Sequence, residues 1–274
     1  MKRAFFGCFL LIAIVSCTQA PQKPLKKGSP AGTFSPTQQL IKHLKPVYEG
    51  VWVRRNYIEK VKQTHSVLAA VDLVPGVNGI QIDTAKVSGD SLQVAVGWDN
   101  HVPGRITLRF RPGKKPKTVV FGEDELGYNI TKQDTTLILY QVFNKVLFKT
   151  VFQKAKHTNP DETVSDGLNY AINSVLFAGD YTLKDLPQNT KVTFSKDGTV
   201  TGLDHFKKYV AESDLKRDAL QNLDLVTFDS FTNQQQAYSY VFRNDVLELY
   251  EVKPNAKNTL LVLGKLKYKL KRIN

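Results

Sequence analysis

Tyr48-Glu49-Gly50-Val51-Trp52 is the stretch whose reading decides the fold, because the chain writes it again as Phe177-Ala178-Gly179-Asp180-Tyr181. Both copies run aromatic, any residue, glycine, any residue, aromatic. A short amphipathic stretch precedes each. Leu40, Ile41, Leu44 and Val47 recur at helical spacing behind Ser35-Pro36, and Leu168, Ala171, Ile172, Val175 and Leu176 recur behind Ser165-Asp166. Serine or aspartate at such a start satisfies an orphan backbone N–H, so both stretches predict capped helices.

The echo continues downstream in the same order, as an internal repeat requires. Leu137-Ile138-Leu139-Tyr140-Gln141-Val142 returns as Leu247-Glu248-Leu249-Tyr250-Glu251-Val252. Each is followed by a turn and a last alternating strand, one ending in Lys154 and the other in Arg272. Ile106 to Phe110 leads through Arg111-Pro112-Gly113 to Thr118–Phe121, and Leu225 to Phe228 leads through Asn233 to Tyr238–Phe242. Upstream, Ile80-Gln81-Ile82 and Lys191 to Phe194 begin hairpins that turn at Ser88-Gly89-Asp90 and Lys196-Asp197-Gly198. An Asp-Gly pair between alternating apolar residues is a strong hairpin signal.

Period two, not 3.6, dominates both halves, and the turns are rich in Gly, Asn and Pro. The pattern predicts antiparallel sheet. Each unit holds about seven or eight candidate strands, enough to close a small barrel that is filled or holds one ligand. Two insertions break the symmetry. Tyr57 to Ala70 reads as a helix, with Tyr57, Ile58, Val61, His65 and Leu68 near one face; Phe206 to Leu223 reads as another. Such helices serve either as a lid or plug at a barrel mouth or as cover for a sheet edge.

Gly50-Val51-Trp52 at the start of a strand resembles the Gly-x-Trp signature of lipocalins and their calycin relatives. The resemblance implies a tryptophan closing one end of a barrel, with a basic residue of the last strand packed over its ring. Lys154 or Lys156 would take that role in the first unit. In the second, Tyr181 replaces the tryptophan and Arg272 is its partner. The Thr-Asp-Tyr motif of typical lipocalins is not found.

At the N-terminus, Lys2 and Arg3 precede an apolar run from Ala4 to Val15, too short to span a bilayer as a folded anchor. The run ends at Ile14-Val15-Ser16-Cys17, which resembles the lipobox of bacterial lipoproteins. That resemblance implies a processed secretion signal and acylation of Cys17. Cys8 would leave with the signal, so the mature chain carries no disulfide and relies on burial. Thr18 to Pro36 is rich in Pro, Gly, Ser, Lys and Gln and reads as a tether. Lys23, Lys26 and Lys27 lie near its membrane end. The whole is similar to cell-envelope lipoproteins of Gram-negative bacteria, of the Bacteroidetes type. Thr18 after the cysteine favours the outer membrane.

The formal charge is +13, or +11 after subtracting Lys2 and Arg3. Behind an export signal, and with no basic stripe interleaved with aromatics, this charge does not point to nucleic acid. Lysines on strand edges and turns discourage sheet aggregation. No catalytic constellation emerges. His43, His65, His101, His157 and His205 show no metal-ligand spacing. No Gly-x-Ser-x-Gly elbow or phosphate loop occurs. Glu123-Asp124-Glu125 reads as a solvated turn. Trp98, before Pro103-Gly104, is placed to plug a barrel end, line a mouth or stack on a sugar.

The expected fold is mainly β: two consecutive small antiparallel lipocalin-like barrels with short flanking and inserted helices. The expected divisions are a signal at residues 1–16, a tether at 17–36, and barrels at 37–158 and 159–274. The expected protein is a non-enzymatic lipoprotein without cofactor or metal, held at the outer membrane through acyl chains on Cys17. It binds a small apolar molecule or lipid in one or both barrels. The alternatives are a structural or protein-interaction module of the envelope with filled barrels, and a glycan-binding module. The candidate ligand or barrel-end residues are Trp52, Trp98, Tyr181 and Arg272.

Overall fold

The computed structural model describes residues 35–73, 75–99, 102–155, 163–184, 190–214 and 220–273. The expectations for the signal, for Cys17 and for nearly all of the tether lie outside them, as do those for His101, Lys156 and His157. Residues 35–273 belong to one compact unit.

The first repeat opens with helix α1 (Pro36–Tyr48). Ser35 and Gln38 form a reciprocal capping box, and Pro36 occupies the first turn, where its missing N–H costs nothing. Eight strands follow: β1 (Gly50–Arg54), β2 (Val77–Ile82), β3 (Ser91–Trp98), β4 (Val102–Pro112), β5 (Thr118–Phe121), β6 (Asp124–Ile130), β7 (Thr135–Phe143) and β8 (Val146–Lys154). They pair in sequence order, and β8 returns to β1 through Trp52↔Lys154 and Arg54↔Phe152, so the sheet is a closed barrel. Alternation sends Leu92, Val94 and Val96 of β3 inward, with Leu108 and Phe110 of β4.

The second repeat opens with α3 (Val164–Leu176) and continues through β9 (Gly179–Leu183), β10 (Lys191–Phe194), β11 (Val200–Thr201), β12 (Tyr209–Ala211), β13 (Leu225–Phe228), β14 (Gln236–Arg243), β15 (Val246–Pro254) and β16 (Leu261–Arg272). Its eight strands order as β11-β10-β9-β16-β15-β14-β13-β12. The end strands meet through the Thr199↔Lys208 bridge, with the Val200 N–H donating to the Lys207 carbonyl at 2.9 Å and the Tyr209 N–H to the Gly198 carbonyl at 2.8 Å. The mainly β architecture of two eight-stranded antiparallel barrels is the one expected, and it is consistent with a lipocalin-like fold.

Three expectations need correction. The cap of α3 is Thr163, not Ser165 or Asp166; Asp166 is the third residue of the helix and completes a capping box with Thr163. The second insertion is not a helix in its described part. Phe206, Tyr209 and Val210 suggested helical spacing, yet Tyr209 and Ala211 alternate inward on β12. Phe206 stacks on Phe228 at 4.6 Å, and Asp229 Oδ1 accepts from the backbone N–H groups of Lys207 and Lys208, which holds the segment extended. The third correction concerns Glu125. It is a clasp within the β5–β6 pair, accepting from Thr118 Oγ1 at 2.7 Å and the Lys115 N–H at 2.9 Å, rather than part of a solvated turn.

The first insertion folds as helix α2 (Arg55–Thr64) and a short 3-10 turn (Leu68–Leu73). It neither caps its own barrel nor merely covers an edge. Tyr57, Ile58, Val61, Val67 and Ala70 belong to the same buried cluster as Tyr240, Phe228 and Leu249 of the second barrel. Between the link residues and that barrel runs a carboxylate latch. Asp224 accepts from Ser66 Oγ at 2.6 Å, the Leu68 N–H at 2.8 Å and the Tyr240 hydroxyl at 3.3 Å. The Val67 N–H donates to the same hydroxyl at 3.3 Å.

Strand β1 is buried on both faces. Trp52 points into the first barrel, while Val51 and Val53 face outward and join the cluster shared with the helices and the second barrel. Helix α3 lies on this outer wall. A Cβ at Gly167 would come within 2.4 Å of Val51 Cγ1, so only glycine permits the approach. Register partners Gly79 and Gly97 make a notch for Val164, whose Cγ1 would sit 2.3 and 3.2 Å from Cβ atoms placed there. Glycine inside a strand often marks such a close approach.

Candidate functional site

The repeated aromatic-x-Gly-x-aromatic stretch builds the same device at each barrel end. Trp52 Nε1 donates to the Tyr48 carbonyl four residues back at 2.8 Å, and the Tyr181 hydroxyl donates to the Phe177 carbonyl four residues back at 2.8 Å. The intervening glycines, Gly50 and Gly179, take positive φ values of 114° and 148°, which turn the chain from helix into strand. Each ring carries a cation from its last strand. Lys154 Nζ stands 5.6 Å from the Trp52 ring centre, and the Arg272 guanidinium 5.2 Å from that of Tyr181. Arg272 also donates to the Leu176 carbonyl at 2.8 Å and the Tyr181 hydroxyl at 2.6 Å. Burial pushes the Tyr181 phenol up while the neighbouring guanidinium pulls it down. Trp52 and Tyr181 have no exposed surface. The two rings therefore close barrel ends and offer a solute no face, while Lys154 is exposed and Arg272 half-buried above them.

Filling continues inward. Tyr48, Phe110, Phe121 and Phe152 pack with Trp52 in the first barrel. Tyr48 donates to the Leu126 carbonyl at 2.8 Å, and burial raises its phenol well above the ordinary range. In the second, Phe177 meets Tyr240 at 5.0 Å, Tyr209 at 5.5 Å and Phe194 at 6.0 Å between ring centres. The Tyr240 and Tyr209 contacts are edge-to-face, worth about 0.5–1.5 kcal/mol each beyond area burial, and the Phe194 ring is tilted. Phe177 is fully covered, so the junction carries no residual apolar surface there.

Three clefts described among these residues open on the surface. One of about 370 Å³ lies between the outer wall of β2–β4 and the start of α3, lined by Asn78, Gln81, Ala95, Arg105, Thr163 and Ser165. Its neighbour of about 450 Å³ runs along Gln81, Gln93 and Arg105 to Lys86. The third, about 560 Å³, lies beside Lys184, Thr190, Leu266, Tyr268 and Lys269. Trp98 is half-buried, and its indole edge rests over Gly104, where a Cβ would meet Nε1 at 2.6 Å.

The described histidines do not converge. His43 Nε2 lies 3.2 Å from the Tyr128 hydroxyl, His65 packs on Phe242 at 5.3 Å, and His205 lies 4.5 Å from Phe206. Among the described residues no group of three His, Cys, Asp or Glu side chains is placed to hold a metal ion.

Two features escaped sequence reasoning. The first is the outward-facing Glu248, nearly buried under Tyr250, Arg243 and Lys269; it accepts from the Tyr250 hydroxyl at 2.7 Å and Arg243 Nε at 2.9 Å. The second is the tip of the β7–β8 hairpin. Every residue from Val142 to Lys149 is exposed. The signal was available, since Val142-Phe143 and Val146-Leu147-Phe148 break the apolar–polar alternation on both sides of a turn. No protein-family model, no curated protein and no solved structure matches the chain.

Proposed function

We propose that this protein is a non-enzymatic, envelope-anchored interaction module with solid barrels, held at the outer membrane by acyl chains on Cys17 and working through its exterior. The observation that supports this reading over a ligand inside the barrels is the filling of both interiors. Large rings occupy the places where a lipocalin-type ligand would sit, and the described clefts open on the outside.

Two measurements test it on protein purified from its own cells. Native mass spectrometry is expected to show the bare acylated chain, and cross-linking in cells is expected to return one defined envelope component. A stoichiometric small apolar molecule retained through purification would overturn the solid-barrel reading. An unmodified Cys17 with the initiating methionine still in place would overturn the anchor.

A further inference from the structure

The β7–β8 hairpin runs past the end of its barrel. Pairing with β6 ends at Glu125↔Tyr140, and pairing of β8 with β1 begins only at Phe152, yet β7 and β8 stay paired to Phe143↔Val146. Asn144 and Lys145 both take positive φ, 49° and 64°, the tight two-residue turn that matches strand twist. The tip is thus ordered before it meets anything. Its large apolar side chains are open to solvent, from 43 % at Leu147 to 68 % at Phe143. Cross-strand pairing puts Phe143, Val146 and Phe148 on one face and Val142 and Leu147 on the other. Residues 141–149 carry two lysines and no carboxylate.

The second repeat keeps the exposed apolar side chains, although Leu220 and Asn222 hydrogen-bond its hairpin at Thr259 and Leu261. Its β15–β16 hairpin exposes Leu260, Val262, Leu263 and Leu266, with Val252↔Leu263 standing where Val142↔Leu147 stands in the first. From 252 to 271 the chain has lysines at 253, 257, 265, 267, 269 and 271 and no acidic residue.

An apolar projection of this kind needs a partner. A protein groove covers one face of a hairpin, and protein interface cores are depleted in lysine. A bilayer surface covers a projecting tip on all sides. Lysine stems lie along it while their ammonium groups reach anionic headgroups. We infer that the two hairpin tips are contact elements for an anionic phospholipid bilayer, entering its interfacial layer. Entry is shallow, because among the described residues the outer edges of β7 beyond Tyr140 and of β8 before Phe152 have no neighbouring strand, and hydrocarbon offers no hydrogen bonds to bare edges. The inference does not rest on acylation of Cys17.

The test uses the full chain carrying Phe143→Trp or Leu263→Trp, with Ile130→Trp at the far end of the first barrel as the reference. Ile130 pairs with Thr135, eight residues along β7 from Phe143, or about 27 Å. Vesicles of phosphatidylglycerol and brominated phosphatidylcholine are expected to quench and blue-shift the tryptophans at 143 and 263 but not the one at 130. Lys145→Gln and Lys149→Gln should each weaken binding about fivefold at low salt. The same variants are also read with Cys17→Ser, which removes the acylation site. Equal quenching at 143 and 130 overturns the inference, even if Cys17 proves acylated. Quenching at 143 and 263 that survives Cys17→Ser supports it, even if the anchor reading fails. A blue shift that grows with protein concentration in the absence of lipid makes the tips a contact between copies and also overturns it.

Discussion

Asp224→Asn probes whether the two barrels are one cooperative body. Asp224 is reached from the first repeat by Ser66 Oγ at 2.6 Å and the Leu68 N–H at 2.8 Å, and from its own barrel by Tyr240 at 3.3 Å. Asparagine has the same shape but no charge and one accepting oxygen; with that oxygen on the Leu68 N–H its amide donates to the Ser66 hydroxyl, so both short bonds survive without their charge assistance. A hydrogen bond to a charged group is worth about 1.5–3 kcal/mol, roughly twice a neutral one, so losing the charge on both bonds in this partly exposed site costs about 2 kcal/mol. With a urea dependence of about 3 kcal/mol per molar for a chain this long, the midpoint falls by about 0.7 M. The readout discriminates because both tryptophans, Trp52 and Trp98, belong to the first sheet while Asp224 belongs to the second repeat. Tryptophan emission is therefore expected to report the full shift, in step with far-ultraviolet circular dichroism. An unmoved emission midpoint beside an earlier dichroism transition would refute the shared core.

Arg272→Leu removes two hydrogen bonds and a ring contact, which together cost about 3 kcal/mol in thermal or urea denaturation; Arg272→Lys keeps the charge but not the fork and should recover less than half. Gly167→Ala gains about 1 kcal/mol of helix propensity but forces α3 off Val51, for a net loss of about 1–2 kcal/mol; an unchanged or raised melting temperature would contradict the packing. Glu248 is held below the ordinary carboxylate range by the Tyr250 hydroxyl and by Arg243 and Lys269, so its contribution is present above about pH 4.3 and is lost as pH falls through its depressed value. Urea midpoints measured from pH 7 to pH 3 should decline less steeply in Glu248→Gln than in the parent, and parallel declines would remove this role.

Much of the fold was legible because each local signal agreed with its neighbour. The turns at Lys196-Asp197-Gly198 and Ser88-Gly89-Asp90 sit between strands where expected, and Ser35 caps α1; Arg111 and Pro112, expected in a turn, instead end β4. Phe206 to Ala211 misled because spacings of three and four among apolar residues are shared by a helix and by an irregular chain that lays rings into a core. What opposed the helix is Asp229, far along the chain, binding two backbone N–H groups. Strand register could be guessed only loosely, so neither the covered face of Glu248 nor the glycine notch under Val164 could be seen. The exposed tips were read as strand, correctly, but exposure depends on how far each neighbouring strand extends. That length is set by β1 and β6, not by the hairpin's own residues.

The latch joining Ser66 to Asp224 closes a loop of 158 residues. While the chain emerges from its N-terminus, the apolar side of α2 and the turn after it has no berth until β14 has followed. A gene cut between the two sheets would yield a front piece with a naked greasy helix and a back piece with an unstoppered cavity. Such long-range closure is slow, so holdase protection during synthesis matters more here than two small modules in tandem would suggest. Mixing the two pieces should restore solubility that neither possesses alone.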